Sequence, residues 1–448
     1  CAILFVLVCS LLSPMASAFA SPSSEPLETE IAETRDESLV SSYSPIIQAA
    51  LAHKSDLSIY SEAQLESATQ WVVIAPQYAG EPAKELPGAW IVDVNPFEAP
   101  NLFSQQREDG MIEAAYPLVE NDMQPRWVPN DPKFSDQWHL QNTGQTGGTS
   151  GEDVNITGAW NSYRGTGVVI GIVDDGLDWT HPDLDNYYES TLDYDFCGDD
   201  GDPSPSSNNA HGTASAGVAA GVGDNNIGVS GSAPKAGLAG LQLISCSTTD
   251  VREGGALGHE RQDIDIYSNS WGPSDNGKTL EGPGPLMLAA MENDASIGRS
   301  GLGNIITWAA GNGLDDEDNS NYDGYANLRY TIAVTAVDHK GRQSYYAEPG
   351  ANILVASPSN GDGESITTTD IEGSGGYTNN DYTDSFGGTS SATPLVSGVI
   401  ALMLEANSNL TWRDVQHIIV LTSRKNDASD SSWRVNGAGH EVSHKYGY

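Results

Sequence analysis

Three short motifs of this sequence carry side chains that could together form a nucleophilic catalyst. Asp174 ends an apolar run, His211 opens a stretch of small residues, and Ser390 precedes a long apolar stretch. Each motif alone is weak, because a serine beside glycine is usually a turn or a helix cap. In the order Asp, His, Ser, however, they match one established chain order of a serine-hydrolase triad. The sequence therefore predicts a triad of Asp174, His211 and Ser390.

These side chains would share the steps of peptide hydrolysis. Ser390 becomes nucleophilic when His211 takes its proton, and His211 then protonates the leaving amine. Asp174 would hold the required imidazole tautomer. Asn312 follows another buried strand, and we expect its amide and the Ser390 backbone N–H to stabilise the oxyanion. Pro394 is expected in the first turns of the helix, where a missing N–H is tolerated.

The elements that would position this triad form an α/β pattern. Buried-type apolar runs, such as 168–173 and 304–309, alternate with small-residue helical stretches, such as 212–221 and 392–406. This alternation is typical of a mostly parallel sheet covered by helices on both faces. The sequence thus predicts a three-layer α/β catalytic domain over 127–448.

The first 126 residues predict a leader followed by a small separate unit. Residues 1–20 join an apolar run to small residues, as in a secretory signal peptide, and 21–60 read as a flexible lead-in. Strand-like runs follow at 71–74, 89–94 and 114–119. We interpret 21–126 as a small α+β prosegment that inhibits the enzyme and assists folding, with an ordinary N-terminal domain as the alternative.

Composition limits the partners and the chemistry. The chain has 20 basic and 61 acidic residues, a net charge of −41, so nucleic acid and anionic membranes are not expected to bind. The acidic residues would serve solubility, calcium binding and the attraction of basic substrates, and these roles do not exclude one another. Without the leader, Cys197 and Cys246 remain, and their spacing leaves pairing open. No His/Cys cluster has the spacing of a zinc site.

Several longer motifs are more specific than the triad. They are 131–134 (DPKF), 174–177 (DDGL), 181–184 (HPDL), 267–273 (YSNSWGP), 301–304 (GLGN) and 409–414 (NLTWRD). From about Trp127 to its last residue the chain resembles the kexin- and furin-like proprotein convertases of the subtilisin superfamily. The resemblance implies a subtilisin-like fold, and it implies a β-rich P domain beyond residue 448.

The resemblance also implies cleavage after arginine, recognised by acidic pockets. The implied pocket residues are Asp275 and Asp323 for the first position, Asp175 for the second, and Glu253 and Glu281 for the fourth. A guanidinium needs carboxylate partners, although any one of these acids could instead be solvated surface charge. The strand of Ser270, Trp271 and Gly272 would pair with the extended substrate backbone.

Two features depart from the family pattern. Where an acid usually stands shortly before the catalytic histidine, this chain has Asn208 and Asn209, which weakens the second pocket. The prosegment junction has a single arginine, Arg126, in place of a paired basic site. Both strict dibasic and single-arginine specificity therefore stay open.

Calcium is the cofactor that the resemblance implies, and it prefers 6–8 oxygen ligands. The implied sites are Asp131, Asp183 and Asn225; Asp275, Asp318 and Glu348; and Asp195, Asp200 and Asp202. For the third set, an acidic loop that stays solvated is the alternative.

The sequence as a whole predicts a secreted, monomeric, calcium-dependent serine endopeptidase that cleaves precursors after arginine and is inhibited by its own prosegment. A degradative subtilisin of broad, apolar specificity is one alternative, but it would not need acids at Asp275 and Asp323. A catalytically silent, calcium-binding paralogue is another, and the intact triad argues against it.

Overall fold

The structure is a computed structural model that describes residues 43, 45–52, 60, 62–84, 86–119 and 127–448. The expected leader over 1–20 and the junction at Arg126 lie outside the described residues. The chain divides into two compact units, 1–123 and 124–448.

The first unit is an antiparallel sheet with short helices. Its helices are α1 (Pro45–Ala52), α2 (Glu62–Ser67) and α3 (Ala99–Glu108), and its strands are β1 (Gln70–Ile74), β2 (Glu81–Pro82), β3 (Ala89–Asp93) and β4 (Ala114–Pro117). The strand order is β2-β3-β1-β4. Alternate residues of β1 enter two apolar clusters, Trp71 packing near Phe103 and Val72 near Tyr43, as the period of two in a strand requires. The three predicted strands are present, in an α+β unit.

The second unit is built on a seven-stranded sheet in which every pairing is parallel. Its strands are β5 (Val169–Asp174), β6 (Tyr194–Asp195), β7 (Gly237–Gln242), β8 (Ile266–Asn269), β9 (Ile305–Ala309), β10 (Thr331–Val337) and β11 (Ile353–Pro358). Their order is β11-β10-β9-β8-β5-β7-β6. Two small sheets lie outside it, β12 (Ile366–Thr369) with β13 (Tyr382–Phe386) and β14 (Arg434–Val435) with β15 (Glu441–Val442).

Helices cover both faces of this sheet. They are α4 (His211–Ala220), α5 (Asp250–Leu257), α6 (Pro285–Gly301), α7 (Thr389–Ala406) and α8 (Trp412–Thr422). One buried cluster joins α4 and α7 to Ile170 and Ile172, and the other joins α5 and α6 to Val173. Neighbouring residues of β5 thus face opposite cores, which confirms the predicted three-layer α/β architecture.

The start of α7 differs from the sequence expectation. The helix begins at Thr389, so Ser390 lies inside its first turn instead of before it. Pro394 is consequently the sixth helical residue, beyond the four positions whose N–H groups have no intrahelical partner. The expectation that its missing N–H falls among those free positions is therefore wrong. Pro394 removes a bond that the Ser390 carbonyl would otherwise accept.

A disulfide settles the pairing that the spacing left open. Cys197 is bonded to Cys246, with their Cα atoms 5.9 Å apart. The bond ties the loop that follows β6 to the segment between β7 and α5.

Candidate active site

The parallel sheet brings the separate motifs to one edge. Asp174 is the last residue of β5, Ser270 follows β8, and Asn312 comes three residues after β9. In a parallel sheet the carboxyl ends of all strands lie at the same edge, where open α/β sheets place their functional residues. The topology is therefore what unites residues far apart in sequence.

Asp174 and His211 form the first predicted pair. The Nδ1 atom of His211 lies 2.8 Å from Oδ1 and 2.9 Å from Oδ2 of Asp174, and Asp174 is only 1% exposed. Burial lowers the pKa of His211, but the attraction of Asp174 outweighs it and leaves that pKa above its usual value. Asp174 thus orients the imidazole and stabilises its charged form.

The contact between α4 and β5 depends on Gly212 and Asp175. A Cβ atom at Gly212 would lie 2.1 Å from the Gly176 carbonyl oxygen, so a side chain there would push His211 away. The Asp175 carboxylate accepts the backbone N–H groups of Gly212 at 2.8 Å and His211 at 3.3 Å. Burial and the adjacent Asp174 raise the pKa of Asp175 to about 6. The residue expected in the second pocket therefore also holds the start of the histidine helix.

Ser390 is linked to the segment after β8. Its hydroxyl donates to the Ser270 carbonyl at 3.3 Å, and the Ser270 hydroxyl donates to the Ser390 carbonyl at 3.1 Å. Within residues 127–448, no hydrogen bond joins Ser390 to His211. Catalytic contacts of this kind are often made only when substrate is bound, and rotation about χ1 would redirect the Ser390 hydroxyl.

Asn312 is fixed against the start of α7. Its Oδ1 atom accepts the Thr389 N–H at 2.8 Å and the Thr389 hydroxyl at 3.1 Å, which leaves its amide nitrogen as the donor. Asn360 accepts the N–H of Gly388 at 2.7 Å, and Gly388 has a φ of +74° that favours glycine. The sequence reasoning missed Thr389, although it stands in the motif, and Asn360, which no local signal marks.

The ring of Phe386, at the end of β13, is a neighbour of His211 that the sequence reasoning missed. Its centroid lies 5.4 Å from that of His211, in an edge-on arrangement. Phe386 is buried, so it covers one side of the imidazole with apolar surface.

Two predicted pocket acids lie near the segment after β8. Asp323 accepts the backbone N–H groups of Tyr325 at 2.7 Å and Ala326 at 3.2 Å. A Cβ atom at Gly272 would lie 2.8 Å from its Oδ2, so the glycine leaves space above this acid. Burial, with a smaller effect of nearby Asp275, raises the pKa of Asp323 to about 7.

The segment of Ser270, Trp271 and Gly272 is hydrogen-bonded to β9 and to α7. The Trp308 indole N–H donates to the Trp271 carbonyl at 2.7 Å. The Ser270 carbonyl accepts the Ser390 hydroxyl at 3.3 Å. Pairing of this segment with an extended substrate chain stays a prediction.

The two acids expected at the fourth position differ in exposure. Glu253 is buried and accepts the hydroxyls of Thr248 at 2.6 Å and Tyr325 at 3.2 Å. Glu281 is exposed and pairs through its backbone with Asp323. Tyr325 therefore lies between Glu253 and the first pocket.

One acidic cluster has the composition of a calcium site. Ligand atoms of Asp275, Asp318 and Glu348 all lie within 4.8 Å of one another. Glu348 is 3% exposed, and burial together with the other two acids raises its pKa to about 8. A Cβ atom at Gly311 would lie 2.3 Å from Glu348, so glycine is needed beside it. Three converging carboxylates offer the hard oxygen donors that a divalent cation prefers.

The other two predicted calcium sets are brought together to different degrees. Asn225 donates its amide to Asp183 at 2.7 Å and its backbone N–H to Asp131 at 3.2 Å, so the first set is contiguous. In the third set, a Cβ at Gly198 would lie within 3.5 Å of both Asp195 and Asp200. The remaining acid, Asp202, accepts the Ser204 hydroxyl at 2.6 Å, which lowers its pKa.

The model of the subtilase family, peptidase S8, matches residues 165–448. A PC3-like endoprotease of Hydra vulgaris is 42% identical over 72% of this chain and 46% of its own length. Human proprotein convertase subtilisin/kexin type 6 is 44% identical over 74% of this chain and 34% of its own length. This chain therefore spans about half the length, or less, of these relatives. The crystal structure of a serine protease of Aeromonas sobria is similar, with a TM-score of 0.66 and 27% identity, and the match covers 73% of this chain and 68% of that one.

Proposed function

The chain belongs to the subtilase family, and on that premise we propose that it is a secreted, calcium-dependent serine endopeptidase that cleaves protein precursors after arginine. The observation that carries the proposal is the pairing of Asp174 with His211, at the sheet edge where Ser390 lies in the first turn of α7. Relatives named as proprotein convertases, at 42–44% identity, support the substrate class.

The proposed reaction begins with attack by Ser390 Oγ on the carbon of the scissile carbonyl. His211 accepts the hydroxyl proton through Nε2, while Asp174 stabilises the imidazolium through Nδ1. The oxyanion accepts hydrogen bonds from the Ser390 backbone N–H and the Asn312 amide. His211 then protonates the leaving amine, and water releases the acyl group by the same route in reverse.

Arginine specificity is proposed from the acids near Gly272. The side chain before the scissile bond would enter the space above Asp323 and meet Asp275. A carboxylate with a raised pKa gains when a guanidinium binds, because the cation stabilises its ionised form. Asp175 and Glu253 would bias the second and fourth positions toward basic residues, although Asp175 already accepts two backbone N–H groups.

Calcium is proposed at the cluster of Asp275, Asp318 and Glu348, with Asp131 and Asp183 as a second set. Bound there, the ion would neutralise the carboxylates and hold their loops together. The unit that contains 62–119 is proposed as the prosegment that inhibits the enzyme before maturation, and the leader over 1–20 as the signal for secretion.

The test compares kcat/KM on matched peptides that end in Lys-Arg, Ala-Arg or Ala-Phe before the scissile bond. Assays run in calcium on the matured protein, with Ser390→Ala as the inactive control. We expect both arginine peptides to be cut at least about 10²-fold better than the phenylalanine peptide, since an unpaired buried charge is strongly unfavourable. Equal cleavage of all three would instead indicate a broad degradative subtilisin, and activity unchanged by Ser390→Ala would exclude this mechanism.

A further inference from the structure

The nucleophile stands next to a gap in the hydrogen bonding of its own helix. In α7 the Ser390 carbonyl would normally accept the N–H of residue 394, four positions on. That residue is Pro394, which has no N–H. A helix carbonyl that loses its donor is unfavourable unless another group donates to it. The Ser270 hydroxyl fills this gap at 3.1 Å.

Ser270 belongs to a seam of hydroxyl groups between the segment at β8 and α7. Ser268, two residues earlier and on the same face of the strand, contacts the Ser397 hydroxyl at 3.0 Å. Ser397 lies seven residues after Ser390, and therefore on the same face of the helix. In the first contact the Ser270 hydroxyl donates to a backbone carbonyl, whereas in the second the Ser397 hydroxyl donates to the Ser268 hydroxyl. Both Ser270 and Ser268 are buried, with 6% and 2% exposure. Only the contact of Ser270 reaches the nucleophile.

We propose that the Ser270 side chain is a positioning residue for the nucleophile, compensating for Pro394 by holding the backbone of Ser390 in place. This role rests on the proposed function of Ser390. It is separate from any pairing of the Ser270 backbone with substrate, because it uses the hydroxyl alone. Because Pro394 has no N–H, the Ser390 carbonyl lacks its usual hydrogen bond within α7. The Ser270 hydroxyl, in the segment after β8, donates to this carbonyl instead.

The effect of removing the Ser270 hydroxyl should depend on whether residue 394 is proline. Without the Ser270 hydroxyl, the Ser390 carbonyl has no donor and the first turn can shift, and a displacement of about 1 Å can lower a rate about 10²-fold. An alanine in place of Pro394 supplies the missing N–H, so the hydroxyl becomes dispensable. A merely structural role for Ser270 would not respond to Pro394 in this way.

The experiment measures kcat and KM of wild type, Ser270→Ala, Ser270→Thr, Pro394→Ala and the double variant Ser270→Ala/Pro394→Ala. Each rate is expressed per active site titrated with a peptidyl fluorophosphonate, so that unfolded protein is not counted. The matched control is Ser268→Ala, which removes a hydroxyl from the same seam while Ser397 keeps its bond to Thr307 at 2.8 Å.

We expect Ser270→Ala to lower kcat at least about tenfold with KM within about twofold, and Ser270→Thr to restore most of the rate. In the Pro394→Ala background, removing the hydroxyl should lower kcat by less than about threefold. If Ser270→Ala does not fold, the comparison of the double variant with Pro394→Ala and the activity of Ser270→Thr still test the positioning role of Ser270. Equal losses in both backgrounds, or an equal loss from Ser268→Ala, would overturn the proposal. Ser390→Ala in wild type tests the proteolytic function independently, so the two hypotheses can fail separately.

Discussion

Replacing Asp323 by asparagine tests whether this buried acid recognises arginine. Its Oδ1 accepts two backbone N–H groups, whereas its Oδ2 lies under the open space at Gly272. Asparagine has nearly the same size and keeps one acceptor oxygen. The variant Asp323→Asn therefore removes the charge while the packing changes little.

The expected magnitude follows from the environment of Asp323. Breaking a buried ion pair by removing one partner costs about 3–5 kcal/mol, and 1.4 kcal/mol is tenfold. Because Asp275 still supplies one charge, we expect the lower end, a fall of about 10²-fold in kcat/KM for the Ala-Arg peptide. The pKa of Asp323 is raised to about 7 by burial, so protonation at lower pH opposes arginine binding. The wild-type preference for arginine should therefore decline as the pH falls below about 7.

The assay reports the ratio of kcat/KM for Ala-Arg over Ala-Phe, which cancels the titration of His211 because that group acts on both peptides. Asp263→Asn is the matched control, since Asp263 is an exposed acid just before β8, at the opposite edge of the sheet. A ratio unchanged by Asp323→Asn, or lowered equally by Asp263→Asn, would refute the assignment of this pocket. A pH-dependent ratio that persists in Asp323→Asn would refute the proton linkage.

Calcium removal, acid and loss of the disulfide each have an expected effect. Calcium at 100 times its Kd stabilises the folded protein by about 2.7 kcal/mol. Glu348→Gln should reduce the calcium-dependent rise in Tm measured by calorimetry. An equal rise in the wild type and in Glu348→Gln would count against the site. The value of kcat/KM should fall as the pH drops through the pKa of His211, because the protonated ring cannot accept a proton. Asp174→Asn should move this fall to lower pH, and an unmoved profile contradicts the pairing. Replacing Cys197 and Cys246 by serine opens a loop that the disulfide closes across 49 residues. The free energy of unfolding, measured by urea titration, should fall by about 4 kcal/mol. A loss below about 1 kcal/mol would contradict this expectation.

Local patterns were sufficient for the strands, and they also led to the predicted triad. The run 168–173 is continuous in apolar residues because β5 is buried on both faces, and such runs mark parallel strands. Asp174 and His211 were predicted from motifs, since an acid at the end of an apolar strand and a histidine before small residues can be recognised from the local sequence alone. The disulfide did not follow, because spacing does not give the distance between Cys197 and Cys246.

The start of α7 shows where local reasoning failed. Apolar periodicity places the helix from about residue 392, yet it begins at Thr389 because Asn312 accepts its N–H and hydroxyl. That partner lies 77 residues away in the chain. The same shift turns Pro394 from a tolerated residue into one that leaves a carbonyl without its helical donor.

The sequence by itself determined the class of chemistry and the α/β architecture, because each depends on residue type and on short-range periodicity. The tertiary structure alone decided which atoms meet. It placed Ser270 against Ser390 and Phe386 against His211. The physical reason is that hydrogen bonds and charge interactions act over a few ångströms in space, and only the packed sheet and helices bring distant parts of the chain that close.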